Sequence, residues 1–183
     1  EPMAAETRIP ARIVKKKAVS GVQPNLTSYE SVRAEFDWAR ARQRLAGLPD
    51  GGLNIAYEAV DRHLEDGRAD RTAIRWIGKA GEQRALSYRD LAHATNRFAN
   101  ALRALRVHPG ERVFVLMGRL PELYITVLGA LKAGCVASPL FSAFGPEPIV
   151  TRCEIGDARV LVTTPELYNR KIAGVRNRLP HLE

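Results

Sequence analysis

Gly110 to Thr164 read GERVFVLMGRLPELYITVLGALKAGCVASPLFSAFGPEPIVTRCEIGDARVLVTT, and this stretch decides the fold. Val113 to Met117 is a continuous apolar run, the pattern of a strand buried on both faces. Pro121 suits the first turn of a helix that runs to Ala133, where Gly134 ends it. Val136 to Pro139 then reads as a short strand, Glu147 to Ile155 as a helix, Arg159 to Thr163 as a strand, and a further helix starts at Glu166. Strand and helix alternate throughout. Such a chain folds as α/β, with a mainly parallel sheet flanked by helices and joined by right-handed crossovers.

Upstream, Ser87 and Asp90 bracket the start of a long helix whose inward residues are expected to be Leu91, Ala94, Phe98, Ala101, Leu102 and Leu105, with Pro109 and Gly110 as its stop. Thr72 to Ile77 and Arg84 to Tyr88 are β-rich runs joined by a glycine-containing connection, the sign of a hairpin. Before them, Asn54 caps a helix reaching about Glu65, with Ile55, Ala59, Val60 and Leu64 facing inward. Residues 1–52 read as an arm. Pro2, Pro10 and Pro24 punctuate an extended segment, and Thr27 with Glu30 forms a capping pair for a helix whose face is Tyr29, Val32, Phe36 and Ala39. The expected division is thus an extended and helical N-terminal arm, 1–52, followed by a partial α/β subdomain, 53–183.

The net charge of +8 raises the question of nucleic acid. Its distribution answers it. Residues 1–50 hold nine basic and six acidic groups, so the excess is thin along the chain, and Lys15 to Lys17 beside Arg12 read as a solvated arm. No nucleic-acid partner is expected. No stretch approaches the ~18 consecutive apolar residues of a membrane span, so no membrane partner is expected either. The chain opens on Glu1 rather than Met, from which the natural start is expected to lie elsewhere. Cys135 and Cys153 form no CxxC pair and have no histidine at metal-ligand spacing, so a metal site is not expected and a reducing cytoplasm suits them. Neither GxGxxG, GxxxxGK[ST] nor GxSxG occurs, which argues against a dinucleotide fold, a P-loop and a hydrolase elbow.

Six blocks carry a resemblance: LNIAYEAVDRH at 53–63, SYRDLAHATNRFANA at 87–101, GERVFVL at 110–116, MGRLPELYITVLGAL at 117–131, SPLFSAFGPE at 138–147 and ARVLVTT at 158–164. In this order they resemble the AMP-forming acetyl-CoA synthetases of the adenylate-forming superfamily. The resemblance implies the N-terminal part of the large domain of such an enzyme. It also implies the reaction: a carboxylate attacks the α-phosphate of ATP, carried with Mg2+, to give acyl-AMP and pyrophosphate, and the CoA thiol then displaces AMP. Acetate, ATP and CoA are the implied partners, with a propionyl-type short-chain ligase or a stand-alone CoA- or protein-binding module as alternatives. The phosphate-binding loop and adenylation lysine of the family are not in this sequence, so no residue is assigned a catalytic role.

Two patches match the family's CoA contacts. Phe141, Ser142 and Ala143 lie on the family loop against the CoA nucleotide, and Arg170 with Lys171 lies near its arginines for the 3′-phosphate. A cation neutralises phosphate, and an aromatic face supports adenine. Strands buried on both faces but lacking further neighbours also predict self-association of this chain alone.

Overall fold

The computed structural model describes residues 25, 26 and 28–183. Thr27 and Lys15 to Lys17 lie outside them. The chain divides into a unit ending at Arg42 and a unit running from Gln43 to Glu183.

In the described part of the first unit, the single helix expected from the Tyr29, Val32, Phe36 and Ala39 spacing is broken. Helix α1 spans Tyr29–Glu35, with the Ser28 side chain accepting from the Ser31 N–H. It stops where Phe36 turns extended, and α2 begins at Trp38 (Trp38–Gln43). Asp37 causes the restart, because its carboxylate accepts the Ala39 N–H at 2.9 Å and competes with helix continuation.

The second unit opens with a tight turn closed by Leu48 and Gly52. Asn54 Oδ1 then accepts from the Ala56 and Tyr57 amides, as a helix cap should, while its Nδ2 donates to the Leu131 carbonyl at 2.8 Å. The helix that follows contains a π-helical stretch, Tyr57–Asp61, before α3 (Arg62–Glu65). The widened turn keeps residues four apart on one face, so Ala56 and Val60 are buried and Leu64 packs beside them. Ile55 is 70% exposed and Ala59 is exposed as well, against the expectation of an ordinary helical period.

Strands β1 (Thr72–Ile77) and β2 (Gln83–Ser87) form the antiparallel hairpin. Ser87 and Asp90 make a reciprocal capping box for α4 (Tyr88–Ala104): Ser87 Oγ accepts the Asp90 N–H at 3.1 Å, and Asp90 accepts the Ser87 N–H at 2.9 Å. Its buried residues are Leu91, Ala92, Thr95, Ala99 and Leu102. Ala101 and Leu105, expected inward, are exposed on the flank of α4 that overhangs the sheet edge. The stop also differs from expectation. Arg106 adopts the left-handed conformation at φ 57, and the Val107 and Arg106 amides donate back to the Leu102 and Arg103 carbonyls at 2.9 Å. This Schellman closure ends α4 before Pro109 and Gly110 are reached.

The sheet has the order β4-β3-β5, all parallel, from β3 (Arg112–Leu116), β4 (Val136–Leu140) and β5 (Ala158–Thr163). Alternation along β3 sends Val113 to one face and Phe114 and Leu116 to the other. The first face packs on α4 and α5 (Pro121–Lys132) through Leu102, Ala130 and Cys135. The second packs on α6 (Pro146–Ile155) through Ile149, Val150 and Cys153. Both faces of the sheet are therefore covered, as the continuous apolar run in β3 requires. The last helical expectation is only partly regular: α7 (Pro165–Leu167) runs into a π-helical turn, Tyr168–Ile172, and a 3-10 segment, Ala173–Arg178.

Candidate functional site: the carboxyl ends of β3 and β4

Helix α5 links β3 to β4 on one face, and α6 links β4 to β5 on the other. The loops after β3 and β4 therefore leave in opposite directions. In open parallel sheets such a divergence leaves a crevice outside the strand ends, which is where ligands bind.

The β4 side of this crevice is the turn Phe141 to Phe144. The Phe144 N–H donates to the Phe141 carbonyl at 3.0 Å, closing a β-turn, and the Phe141 and Phe144 rings meet edge to face with centroids 5.7 Å apart. Phe144 is half-buried beneath the Arg152 guanidinium, whose carbon sits 4.2 Å from the ring centroid. Phe141 is 65% exposed, an aromatic face turned to solvent at the mouth of the crevice. Phe114, Ser138, Phe141, Phe144 and Arg152 border a hollow of about 500 Å³ along β4.

Lys171 reaches this turn from the other end of the sequence. The Thr164 hydroxyl caps α7 by accepting the Leu167 N–H, and the π-helical turn puts Leu167 and Ile172, five residues apart, into the same core as Leu140 and Ile149. That anchoring delivers Lys171, whose Nζ donates to the Ser142 carbonyl at 2.5 Å and the Phe144 carbonyl at 2.6 Å. Arg170 points elsewhere: it is exposed and pairs with Glu166 one turn back at 3.3 Å. An exposed pair of this kind holds by at most ~1 kcal/mol and exchanges readily for a stronger anion. Ala143 is exposed at the tip of the turn. The structure thus joins Phe141, Ser142 and Lys171 through one set of contacts and leaves Arg170 beside them. Arg152 over Phe144 escaped the sequence reading, because a lone arginine in an amphipathic helix carries no signal beyond a solvated face.

The thiols are chemically quiet. Cys135 and Cys153 are both buried and unpaired. Desolvation raises the Cys135 pKa, and it pushes the Cys153 thiol up to about 11. A second hollow, of about 470 Å³, surrounds Lys132, whose ammonium lies 2.7 Å from Asp61 and 2.8 Å from Asn96. It ties the helix containing Asp61 to α4 and α5. No helix among the described residues is long and apolar enough to cross a membrane, and no group of His, Cys, Asp and Glu there could hold a metal ion.

A parallel sheet covered on both faces, with an exposed aromatic turn at its carboxyl end, defines an α/β architecture. A family model described as AMP-binding enzyme matches residues 60–182, more than half of the chain, and the chain belongs to that family. It is 41% identical over 160 residues to the acetyl-coenzyme A synthetase of Bacillus subtilis (strain 168), covering 87% of this chain and 27% of that protein. It is 38% identical over 120 residues to the 3-hydroxypropionyl-coenzyme A synthetase of Sulfurisphaera tokodaii, covering 66% of this chain and 18% of that protein. Among solved structures, a Brucella canis acyl-CoA synthetase superposes with a TM-score of 0.69 at 35% identity, covering 85% of this chain and 27% of that one. The chain spans less than a third of the length of each of these relatives.

Proposed function

We propose that this chain forms the opening part of a cytoplasmic AMP-forming acetate–CoA ligase, which converts acetate and ATP to acetyl-AMP and passes the acetyl group to CoA. Several similar proteins are named acetyl-coenzyme A synthetases, and this supports acetate as the acid. The observation that carries the CoA part is the turn at the end of β4. Phe141, Ser142 and Ala143 would take the CoA nucleotide, with the exposed Phe141 face supporting adenine, Arg170 supplying positive charge for the 3′-phosphate, and Lys171 joined to the turn through the Ser142 and Phe144 carbonyls. Mg2+ would travel with the ATP phosphates.

The test is acetate-dependent exchange of pyrophosphate into ATP by the full-length protein, followed by thioester formation with CoA. Exchange with acetate in preference to propionate and 3-hydroxypropionate is expected. Exchange only with one of the longer acids would support the short-chain alternative, which the 3-hydroxypropionyl-coenzyme A synthetase relatives favour. No exchange with any of them would overturn the reading. The 183 residues alone should give none, for want of a phosphate-binding loop and a lysine aimed at the developing charge. Alone, they should instead self-associate along the β5 edge, past the stretch that Glu183 pairs with.

A further inference from the structure

We propose that Lys171 is a positioning residue: it staples the Ser142 and Phe144 carbonyls so that Phe141 keeps its face toward the CoA nucleotide, and it does not itself hold the 3′-phosphate. This role rests on the CoA reading of the turn. Its grounds are geometric. Two of the three ammonium hydrogens are spent at 2.5 and 2.6 Å on carbonyls that lie 29 and 27 residues away in sequence. Within the turn only the Phe144 to Phe141 hydrogen bond holds the backbone, so these two charge-assisted bonds add most of its bracing. The stem of Lys171 is half-buried, and Ile172 beside it is fully buried, which fixes the approach of the side chain. Arg170, exposed and held only by Glu166, is the neighbouring cation whose guanidinium is at liberty to meet a phosphate.

Lys171→Met keeps the apolar stem and removes the ammonium, and Lys171→Arg keeps the charge in a planar shape unsuited to converging on two carbonyls. In the 183-residue chain, Lys171→Met should speed hydrogen exchange of the Phe144 amide about tenfold or more, the equivalent of ~1.4 kcal/mol, and leave β3 amides unchanged. Unchanged exchange at the turn would overturn the staple. If Lys171→Met unfolds, so that β3 protection is lost as well, Lys171→Arg serves in its place, with a smaller acceleration confined to the turn.

In the full-length protein, Lys171→Met should raise KM about tenfold for CoA and for 3′-dephospho-CoA alike, with kcat nearly unchanged, whereas Arg170→Ala should raise it for CoA only. A rise confined to CoA in Lys171→Met would make Lys171 a phosphate contact and sink the positioning role. Faster turn exchange with neither KM altered would show that the staple exists but that the turn does not face CoA; the CoA reading would then have failed, and the positioning role with it.

Discussion

The two edges of the three-stranded sheet are built differently. Strand β4 carries Pro139 in its middle, opposite Val115 of β3. A proline has no N–H to give to a ladder, so it fits only where no further strand follows. Its flank bears finished features: the braced turn, the Arg152–Phe144 stack and the hollow between them. Strand β5 has no such stop. Its Leu161 N–H donates to the Glu183 carbonyl at 3.1 Å, and the Glu183 N–H donates to the Arg159 carbonyl at 2.9 Å, the pattern of a parallel bridge. Past that bridge runs an open apolar groove of about 440 Å³, walled by Phe98, Leu105, Val162 and Tyr168. One edge ends in a proline-bearing strand and a braced turn; the other carries the Glu183 bridge and an apolar groove.

The largest effect should come from moving α4, the wall of the β5 groove. A Cβ on Gly129 would stand 2.8 Å from the Thr95 carbonyl oxygen and 2.8 Å from the Phe98 ring. Backbone cannot yield as a side-chain tip can, so Gly129→Ala should push α5 and α4 apart and cost at the upper end of ~1–3 kcal/mol. Denaturant unfolding should show the lower midpoint, and dye binding should rise as the β5 groove widens. Hydrogen exchange at the 141–144 turn should stay put. Loss of the turn along with the groove would show that the two edges are not independent.

A smaller change is expected from charging the groove. Leu105→Lys places a cation on an already exposed wall residue without disturbing the core, so folding should survive. Sedimentation at micromolar concentrations, where exposed strand edges associate, should show association weakened about tenfold, or ~1.4 kcal/mol. Ile155→Lys on the β4 flank, where the side chain is 83% exposed, should leave association unaltered. The reverse ranking would put the contact on the β4 edge. A monomer in the unsubstituted chain would remove the distinction between the edges and favour a stand-alone module.

Cys153, buried on the inward face of α6, gives that face of the sheet a pH signature, the larger of the two thiols'. Its folded pKa of about 11 lies above the ordinary 9.0 because the charged form is desolvated. Above pH 9 the unfolded thiol loses its proton while the folded one keeps it, so the unfolded state binds fewer protons and stability falls as pH rises. The loss should begin near 9.0 and level off near 11. Cys153→Ala should flatten that part of the stability curve; an unchanged slope would assign it to other groups.

How far all this was legible in the sequence depends on the range of the interaction. Ser87 and Asp90 speak to each other across three residues, and the capping box was readable. The apolar run Val113 to Met117 announced a strand covered on both faces, and β3 is one as far as Leu116. Ile55 misled because a π-helical turn breaks the 3.6-residue period on which the inward face was assigned. Asp37 broke a helix that hydrophobic spacing alone continued. For the site, Phe141, Ser142 and Lys171 came from family resemblance, but the bonds from Lys171 to the Ser142 and Phe144 carbonyls span 29 and 27 residues and no local pattern encodes them. Arg152 over Phe144 was invisible for a different reason, since only the fold decides which face of α6 meets the turn.

The smallest effect concerns how each strand of the sheet is reached. Three helices end in a left-handed residue just before a strand: Arg106 at φ 57 ahead of β3, Gly134 at φ 74 ahead of β4, and Asp157 at φ 46 ahead of β5. Of these three helix-ending residues Gly134 alone is glycine, although Gly110, at φ 85, also precedes β3. For a residue with a Cβ the left-handed conformation costs roughly 1–2 kcal/mol, while glycine gives back ~0.5–1 kcal/mol in chain entropy on folding. Asp157 offsets part of its strain through an ion pair with Arg112. Among the described residues Arg106 makes no such bond, so Arg106→Gly should raise stability by about 0.5–1 kcal/mol, seen as a higher denaturant midpoint with an unchanged slope. Gly134→Ala should do the opposite and more, since its Cβ would also stand 3.2 Å from the Pro109 side chain. If Arg106→Gly instead lowers stability, the arginine stem packs on α4 with a benefit larger than the strain it bears, and the three approaches are equally well made.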